Sequence, residues 1–195
     1  MADFEIAYGE TELFEGGYVN DPVDRGGETH RGVARRFHPD WEGWQIVDQY
    51  KKDYPDDFKR RINDDQRLVD LSRQLYREKF WDPIKGDEIS NQQVANKVFD
   101  TGVNQGVATS VKYLQDGLNL LNRDQQNYED IEVDGKVGQA TIGALENFLE
   151  LEDGQPDYLL KILNILQAMK YIEIMRNNSS QERFARGWLN RVQLS

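Results

Sequence analysis

Glu15 stands directly before Gly16-Gly17 and opens the stretch Tyr18-Val19-Asn20-Asp21-Pro22-Val23-Asp24-Arg25-Gly26-Gly27-Glu28-Thr29. Asp24 follows Glu15 after eight intervening residues, and Thr29 follows Asp24 after four. A hairpin across this stretch would return a second carboxylate and a hydroxyl toward the first. Two carboxylates and a water-holding hydroxyl are what glycosidic hydrolysis requires: one acid protonates the leaving oxygen, and one base or nucleophile acts across the sugar ring. To hold its proton near neutral pH, a glutamate general acid needs a pKa raised by roughly 2 units, or about 2.7 kcal/mol.

The preceding segment can supply that rise. Phe4, Ala7, Tyr8 and Thr11 recur at helical spacing, and continuing their register at about 100° per residue brings Glu15 onto the face of Phe4 and Tyr8. Gly16 and Gly17 can take the positive φ that ends a helix, leaving Glu15 in the last turn, where the backbone's partial charge is negative. Desolvation against Tyr8 and Phe14 acts in the same direction. The blander alternative makes Glu15 the solvated last residue of a helix.

Other chemistries are poorly provided for. The chain has no cysteine and only two histidines. His30 and His38 lack partners at helical metal spacing, which argues against zinc. Asp21, Asp24 and Glu28 lack the alternating oxygen ligands of a calcium loop, and no serine lies in a nucleophile elbow. No metal or cofactor is expected.

The segment from Glu15 to Thr29 closely resembles the signature of glycoside hydrolase family 108, lysozyme-like N-acetylmuramidases often labelled secretion activator proteins. Its Glu, Asp, Thr order also resembles the catalytic trio of phage-type lysozymes, in which the last gap is one residue longer and would fall on His30. Val98-Phe99-Asp100-Thr101-Gly102-Val103-Asn104-Gln105-Gly106, Asp134-Gly135-Lys136-Val137-Gly138-Gln139-Ala140-Thr141 and the closing Arg186-Gly187-Trp188-Leu189-Asn190-Arg191-Val192 resemble the type 3 peptidoglycan-binding module. The resemblance implies cleavage of the β-1,4 link between N-acetylmuramic acid and N-acetylglucosamine. Glu15 would be the acid, Asp24 the water-directing base or nucleophile, and Thr29 a holder of the water. It also implies wall contacts from Tyr18, Asp100 and Asn104. Trp41, Trp44 and Tyr50 follow the loop and can stack on sugar faces, with core packing as the alternative. Two rivals remain: a non-catalytic wall-binding or secretion-accessory protein, and a lytic transglycosylase using Glu15 alone.

A net charge of −11 argues against nucleic acid and against long-range attraction to an anionic wall. Affinity for glycan strands must come from local sugar and peptide contacts. The first residues lack the basic and apolar regions of a secretory signal, so the expectation is synthesis in the cytoplasm and action at the wall through holin-made lesions or a dedicated secretion machine.

The periodicities predict a mostly α, lysozyme-like fold with a small hairpin or loop after the first helix, packed against a helical C-terminal half. Short helices are expected over 32–37 and 42–52. An Asp64-Asp65 cap should start a helix with Leu68, Leu71 and Leu75 inward, ending at Asp82-Pro83 near Trp81. Ser90 is expected to cap a helix burying Val94, Val98 and Phe99, followed by one burying Val111, Leu114, Leu118 and Leu121. Strand signals lie at Tyr18-Val19 and Ile131-Glu132-Val133. In the segment 157–176 polar residues recur every third position, which predicts a core helix covered by different partners along its length. It is too interrupted to span a membrane. The expected division is a catalytic region, 1–97, and a peptidoglycan-binding-like region, 98–195, folding as one unit.

Overall fold

The computed structural model describes residues 1–12, 17–20, 27–151 and 155–192. It is mostly helical with a small sheet, and it divides into two compact units, Phe4–Trp81 and Met1–Asp3 with Asp82–Ser195.

In the first unit, α1 (Phe4–Glu12) buries Phe4, Ala7, Tyr8 and Thr11, the stripe that its spacing predicts. Phe4 stacks on Tyr8, and Tyr8 meets Tyr76 edge to face. A three-stranded antiparallel sheet follows, β1 (Val19–Asn20), β2 (Glu28–His30) and β3 (Val33–Ala34), paired in that order. Val19 faces Thr29 and Asn20 faces Glu28; Thr29 in turn faces Ala34.

β3 lies where a short helix over 32–37 is expected from sequence. Arg31 and Gly32 have φ of 48° and 74°, and two successive left-handed residues make the tight turn that matches the twist of paired strands. The turn is anchored from both sides, with Arg31 Nη2 donating to the Asn63 carbonyl (2.8 Å) and Tyr76 Oη donating to the Arg31 carbonyl (3.3 Å).

Helices α2 (Gly43–Asp53), α3 (Phe58–Asn63) and α4 (Gln66–Tyr76) complete this unit. The Asp65 side chain caps α4 by accepting from Arg67 N at 2.9 Å. The helix widens into a π turn over Arg77–Trp81 and then tightens into a 3-10 turn at Asp82–Ile84, so Asp82-Pro83 ends it as expected.

The second unit is a helical bundle. In α5 (Gln92–Gln105), Val94, Val98 and Phe99 are buried. Its cap is Asn91, one residue beyond Ser90, because the Asn91 carboxamide reaches Val94 N at 3.1 Å. Gly106, with φ of 92°, turns the chain into α6 (Val107–Leu120), which packs on α5 and buries Val111, Leu114 and Leu118. Residues 131–133 form no strand. The Asn119 carboxamide accepts from Ile131 N and donates to its carbonyl, doing for that residue what a neighbouring strand would do.

The motif beginning at Asp134-Gly135 also has a full structural account. Gln115, 1% exposed, donates to Asp134 Oδ1, the Lys136 carbonyl and Thr141 Oγ1, and accepts from Gly135 N. Gly135 has φ of 80°, and a Cβ there would stand 2.9 Å from the Ala108 carbonyl oxygen. Only glycine fits so close an approach in that conformation. Thr141 is buried in α7 (Gln139–Glu150), which precedes α8 (Pro156–Asn177) and α9 (Ala185–Leu189).

α8 is oriented contrary to its polarity. Its buried side carries Asn164 and Gln167 beside Leu159, Leu163 and Tyr171, whereas Ile165, Met169 and Ile172 are exposed. One face is covered, rather than successive faces along the length. The inward amides are satisfied: Asn164 donates to the Leu160 carbonyl, and Gln167 bonds both Lys97 and Tyr171.

Candidate active site

Glu15 and Asp24 lie outside the described residues, as does Asp21; in sequence, the stretch between β1 and β2 holds both aspartates. Around that stretch, the hairpin is held by charge. Glu28, with its side chain 13% exposed, is ion-paired with Lys51 of α2 and lies 3.4 Å from Arg35 Nε. Asp48 completes the cluster, 2.7 Å from Arg35 Nη2 and 3.6 Å from Lys51 Nζ. Burial pulls the Lys51 pKa down, but its bonds to Glu28 and Tyr18 outweigh that and raise it, so the ammonium is firmly charged. The Asp48-x-x-Lys51 spacing is the one sign of this cluster in the sequence, because residues three apart on a helix are neighbours.

Tyr18 stands at the entry of β1. Its ring meets Phe58 edge to face at 5.1 Å, with the Lys51 and Lys59 ammonium groups 5.4 and 5.8 Å from its centroid. Burial raises the phenol's pKa, and the Glu28 charge adds to it, against the opposing bond from Lys51. Gly17 permits this course, since a Cβ there would press on the Asn63 carboxamide at 3.0 Å.

Thr29 and His30 part company across β2. Successive strand residues point to opposite faces, and His30 is fully buried while Thr29 is half-buried. Thr29 Oγ1 lies 3.5 Å from the Gly27 carbonyl, too long for a firm bond, so the hydroxyl can still engage water. The His30 imidazole sits 6.5 Å from the Trp41 ring, with neither nitrogen hydrogen-bonded among the described residues. Burial, aided by the Arg31 charge, lowers its pKa to about 4. It is a neutral core residue.

Trp41 and Trp44 are 8% and 4% exposed and pack edge to face. Both indole N–H groups are already donated, to the Leu71 and His38 carbonyls. A Cβ at Gly43 would meet the Trp41 ring at 2.3 Å, so glycine is what lets that indole lie against the start of α2. The pair serves the core, and their polar edges are spent there.

In the other unit, Asp100 holds the C-terminal motif and Asn104 holds Asp100. Asp100 Oδ1 accepts from Arg191 Nη1 at 2.6 Å, and Asn104 Nδ2 donates to the Asp100 carbonyl at 3.0 Å. Lys97, its pKa lowered to about 8 by burial against the opposing pull of Asp100, donates to the Arg191 carbonyl. Trp188 stacks on Tyr171. These contacts bring together two motifs nearly a hundred residues apart in sequence.

The sequence over residues 9–106 matches the family described as glycosyl hydrolase 108. The chain belongs to that family. Residues 109–193 match a second description, a predicted peptidoglycan domain. The family 108 enzyme is therefore a lysozyme-type glycoside hydrolase acting on peptidoglycan, and the cell wall is where it acts. Its fold is similar to the structure of Brucella abortus SagA, with a TM-score of 0.65 over 97% of this chain and 88% of that chain. The two are 23% identical, so the likeness is one of fold. No curated protein matches the chain in sequence. Among the described residues, no helix is long and apolar enough to cross a membrane.

Proposed function

We propose that this family 108 glycosidase is an N-acetylmuramidase, hydrolysing the β-1,4 link between N-acetylmuramic acid and N-acetylglucosamine. Glu15 protonates the leaving oxygen, Asp24 directs the attacking water or serves as nucleophile, and Thr29 helps to hold the water. The observation that carries this reading is the family match over residues 9–106, which spans the whole motif. The inward stripe of α1 supports the role of Glu15, because continuing that register leads to it. The loosely held hydroxyl of Thr29 supports the third role. A carboxyl separation of about 5–5.5 Å would give retention, and about 6.5–9.5 Å inversion. Tyr18, flanked by two ammonium groups at the hairpin entry, is the described residue best placed to meet substrate. Passage to the wall through a holin-made lesion or a dedicated secretion machine belongs to the same proposal.

Digestion of purified sacculi, followed by borohydride reduction and mass spectrometry, tests the reaction. Muramidase action yields reducible N-acetylmuramic acid ends, and Glu15→Gln should lower their formation by roughly 10² or more. Anhydro-sugar ends would assign the enzyme as a transglycosylase. Reduced N-acetylglucosamine ends would assign the other glycosidic bond.

A further inference from the structure

The outward face of α8 carries Tyr158, Ile165, Met169 and Ile172, which are 50%, 47%, 60% and 39% exposed. With half-buried Ile162 they are spaced four, three, four and three residues apart. That is the repeat of a helix-packing seam. At about 100° per residue, Tyr158, Ile165, Met169 and Ile172 fall within a sector of about 60°, and Arg176 joins it at the C-terminal end. The opposite face, with Leu159, Leu163, Asn164, Gln167 and Tyr171, is the buried one. The helix thus places two amides inside, satisfied by their own partners, while a continuous apolar stripe faces solvent. Contiguous exposed stripes of this kind mark interaction surfaces.

We propose that this stripe is a homodimer seam, covered by α8 of a second copy running antiparallel across a twofold axis. The stripe is self-complementary in that direction. Centring the axis between Ile165 and Met169 sets Ile165 against the partner's Met169, Ile162 against the partner's Ile172, and Tyr158 against the partner's Arg176. Each contact occurs twice, as a twofold interface demands. The outermost layers then place an Arg guanidinium over a Tyr ring, a favourable cation–π arrangement. A parallel pairing would stack Arg176 on the partner's Arg176, and it would align the two helix dipoles unfavourably. Met169, the most exposed member, is a side chain that adapts readily to a facing surface. An anionic membrane surface is a poorer occupant, since Asp157 and Glu173 flank the stripe and the chain carries a net charge of −11.

Sedimentation equilibrium of the full chain over a concentration series tests the association. The expected mass rises from one chain to two, whereas Ile165→Glu/Met169→Glu stays at one chain and melts where dilute, monomeric wild type melts, both positions being exposed in the single chain. A wild type that remains monomeric at the highest concentration, or a double variant that dimerises equally well, overturns the proposal. The chain's lack of cysteine allows the direction to be read as well. Tyr158→Cys and Arg176→Cys, mixed and mildly oxidised, should form a disulfide with each other. Neither should do so alone, because like positions stand about 27 Å apart along antiparallel helices. Self-cross-linking of either single variant would overturn the antiparallel seam. None of these positions belongs to the proposed catalytic apparatus, so the outcome is independent of the muramidase assignment.

Discussion

Lys51 of α2 is ion-paired with Glu28 of β2, the residue immediately before Thr29. The bond fixes the returning strand of the hairpin to a helix twenty-three residues further along the chain. Removing the ammonium with Lys51→Met leaves Glu28 the Arg35 contact at 3.4 Å and its bond with Tyr18. The expected cost is about 1–2 kcal/mol, because the pair is partly solvated and one cation remains. Wall hydrolysis should fall by more than the stability loss explains, and Lys51→Arg should restore much of it. Thermal melts and turnover assays on the two variants check this; a fully active Lys51→Met would show that the hairpin does not depend on the pair.

His30 gives the first unit an acid-sensitive core. Its folded pKa of about 4 lies below the ordinary 6.5, so the unfolded chain takes up the proton first as pH falls. Above pH 6.5 the group contributes nothing to the pH dependence; from 6.5 down to about 4 stability is progressively lost, by about 3 kcal/mol in all. His38, also lowered by burial and then by Lys79, acts in the same direction. Urea denaturation at stepped pH values should show this decline, with a shallower slope in His30→Gln. Equal slopes in both proteins would remove His30 as the cause.

The family 108 signature is legible because it is local: the stripe of α1, the hairpin that follows and the capped α4 all arise from neighbours in sequence. What escapes is set by distant partners. Gln167 falls in the polar period of its segment, yet Lys97 and Tyr171 satisfy it inside the bundle. The helix therefore turns its amides inward and leaves Ile165 and Met169 outside. Trp41 and Trp44 have the surface chemistry of sugar platforms, but the carbonyls of Leu71 and His38 hold their N–H groups in the core. Arg31 defeats the helical reading of 32–37 because a left-handed arginine is not announced by its type; the turn exists through the bonds made by Asn63 and Tyr76.

Gln115 should prove structural. Gln115→Leu leaves Gly135 N without its acceptor and Thr141 without its donor, at an expected cost of roughly 2–4 kcal/mol. Gly135→Ala should destabilise as well, through strain at φ of 80° and the 2.9 Å approach to the Ala108 carbonyl. Denaturant melts check both variants. If the motif instead holds wall peptide, co-sedimentation with sacculi would weaken while the melts stayed unchanged.

Asp24 and Asp21 should separate by phenotype. Asp21 precedes Pro22 and suits turn initiation by bonding its own backbone, whereas Asp24 lies where the sequence returns toward β2. Asp24→Asn should lower turnover with little change in melting temperature, and Asp21→Asn should chiefly reduce stability. The opposite pattern would exchange the two roles.

Ending the chain at Gly102 should ruin the protein even though every proposed catalytic residue remains. The cut falls inside α5, whose buried residues Val94, Val98 and Phe99 belong to the unit that contains α6 and α8. Those helices would be gone, while Ile84 and Ile89, fully buried in the same unit, would remain on the fragment. Each large side chain so exposed forfeits roughly 1.5–3 kcal/mol, against a total stability of only about 5–15 kcal/mol. Met1–Asp3 would stay tied to the stranded segment 82–102 of the fragment, because Ala2 N donates to the Ile89 carbonyl at 2.7 Å and Gln92 Nε2 donates to the Asp3 carbonyl at 3.0 Å. The 1–102 fragment is expected to aggregate or to bind a hydrophobic dye without a cooperative melt. A soluble fragment with a sharp transition and full hydrolytic activity would show that α5 needs neither α6 nor α8, and that residues 103–195 act as an independent targeting module.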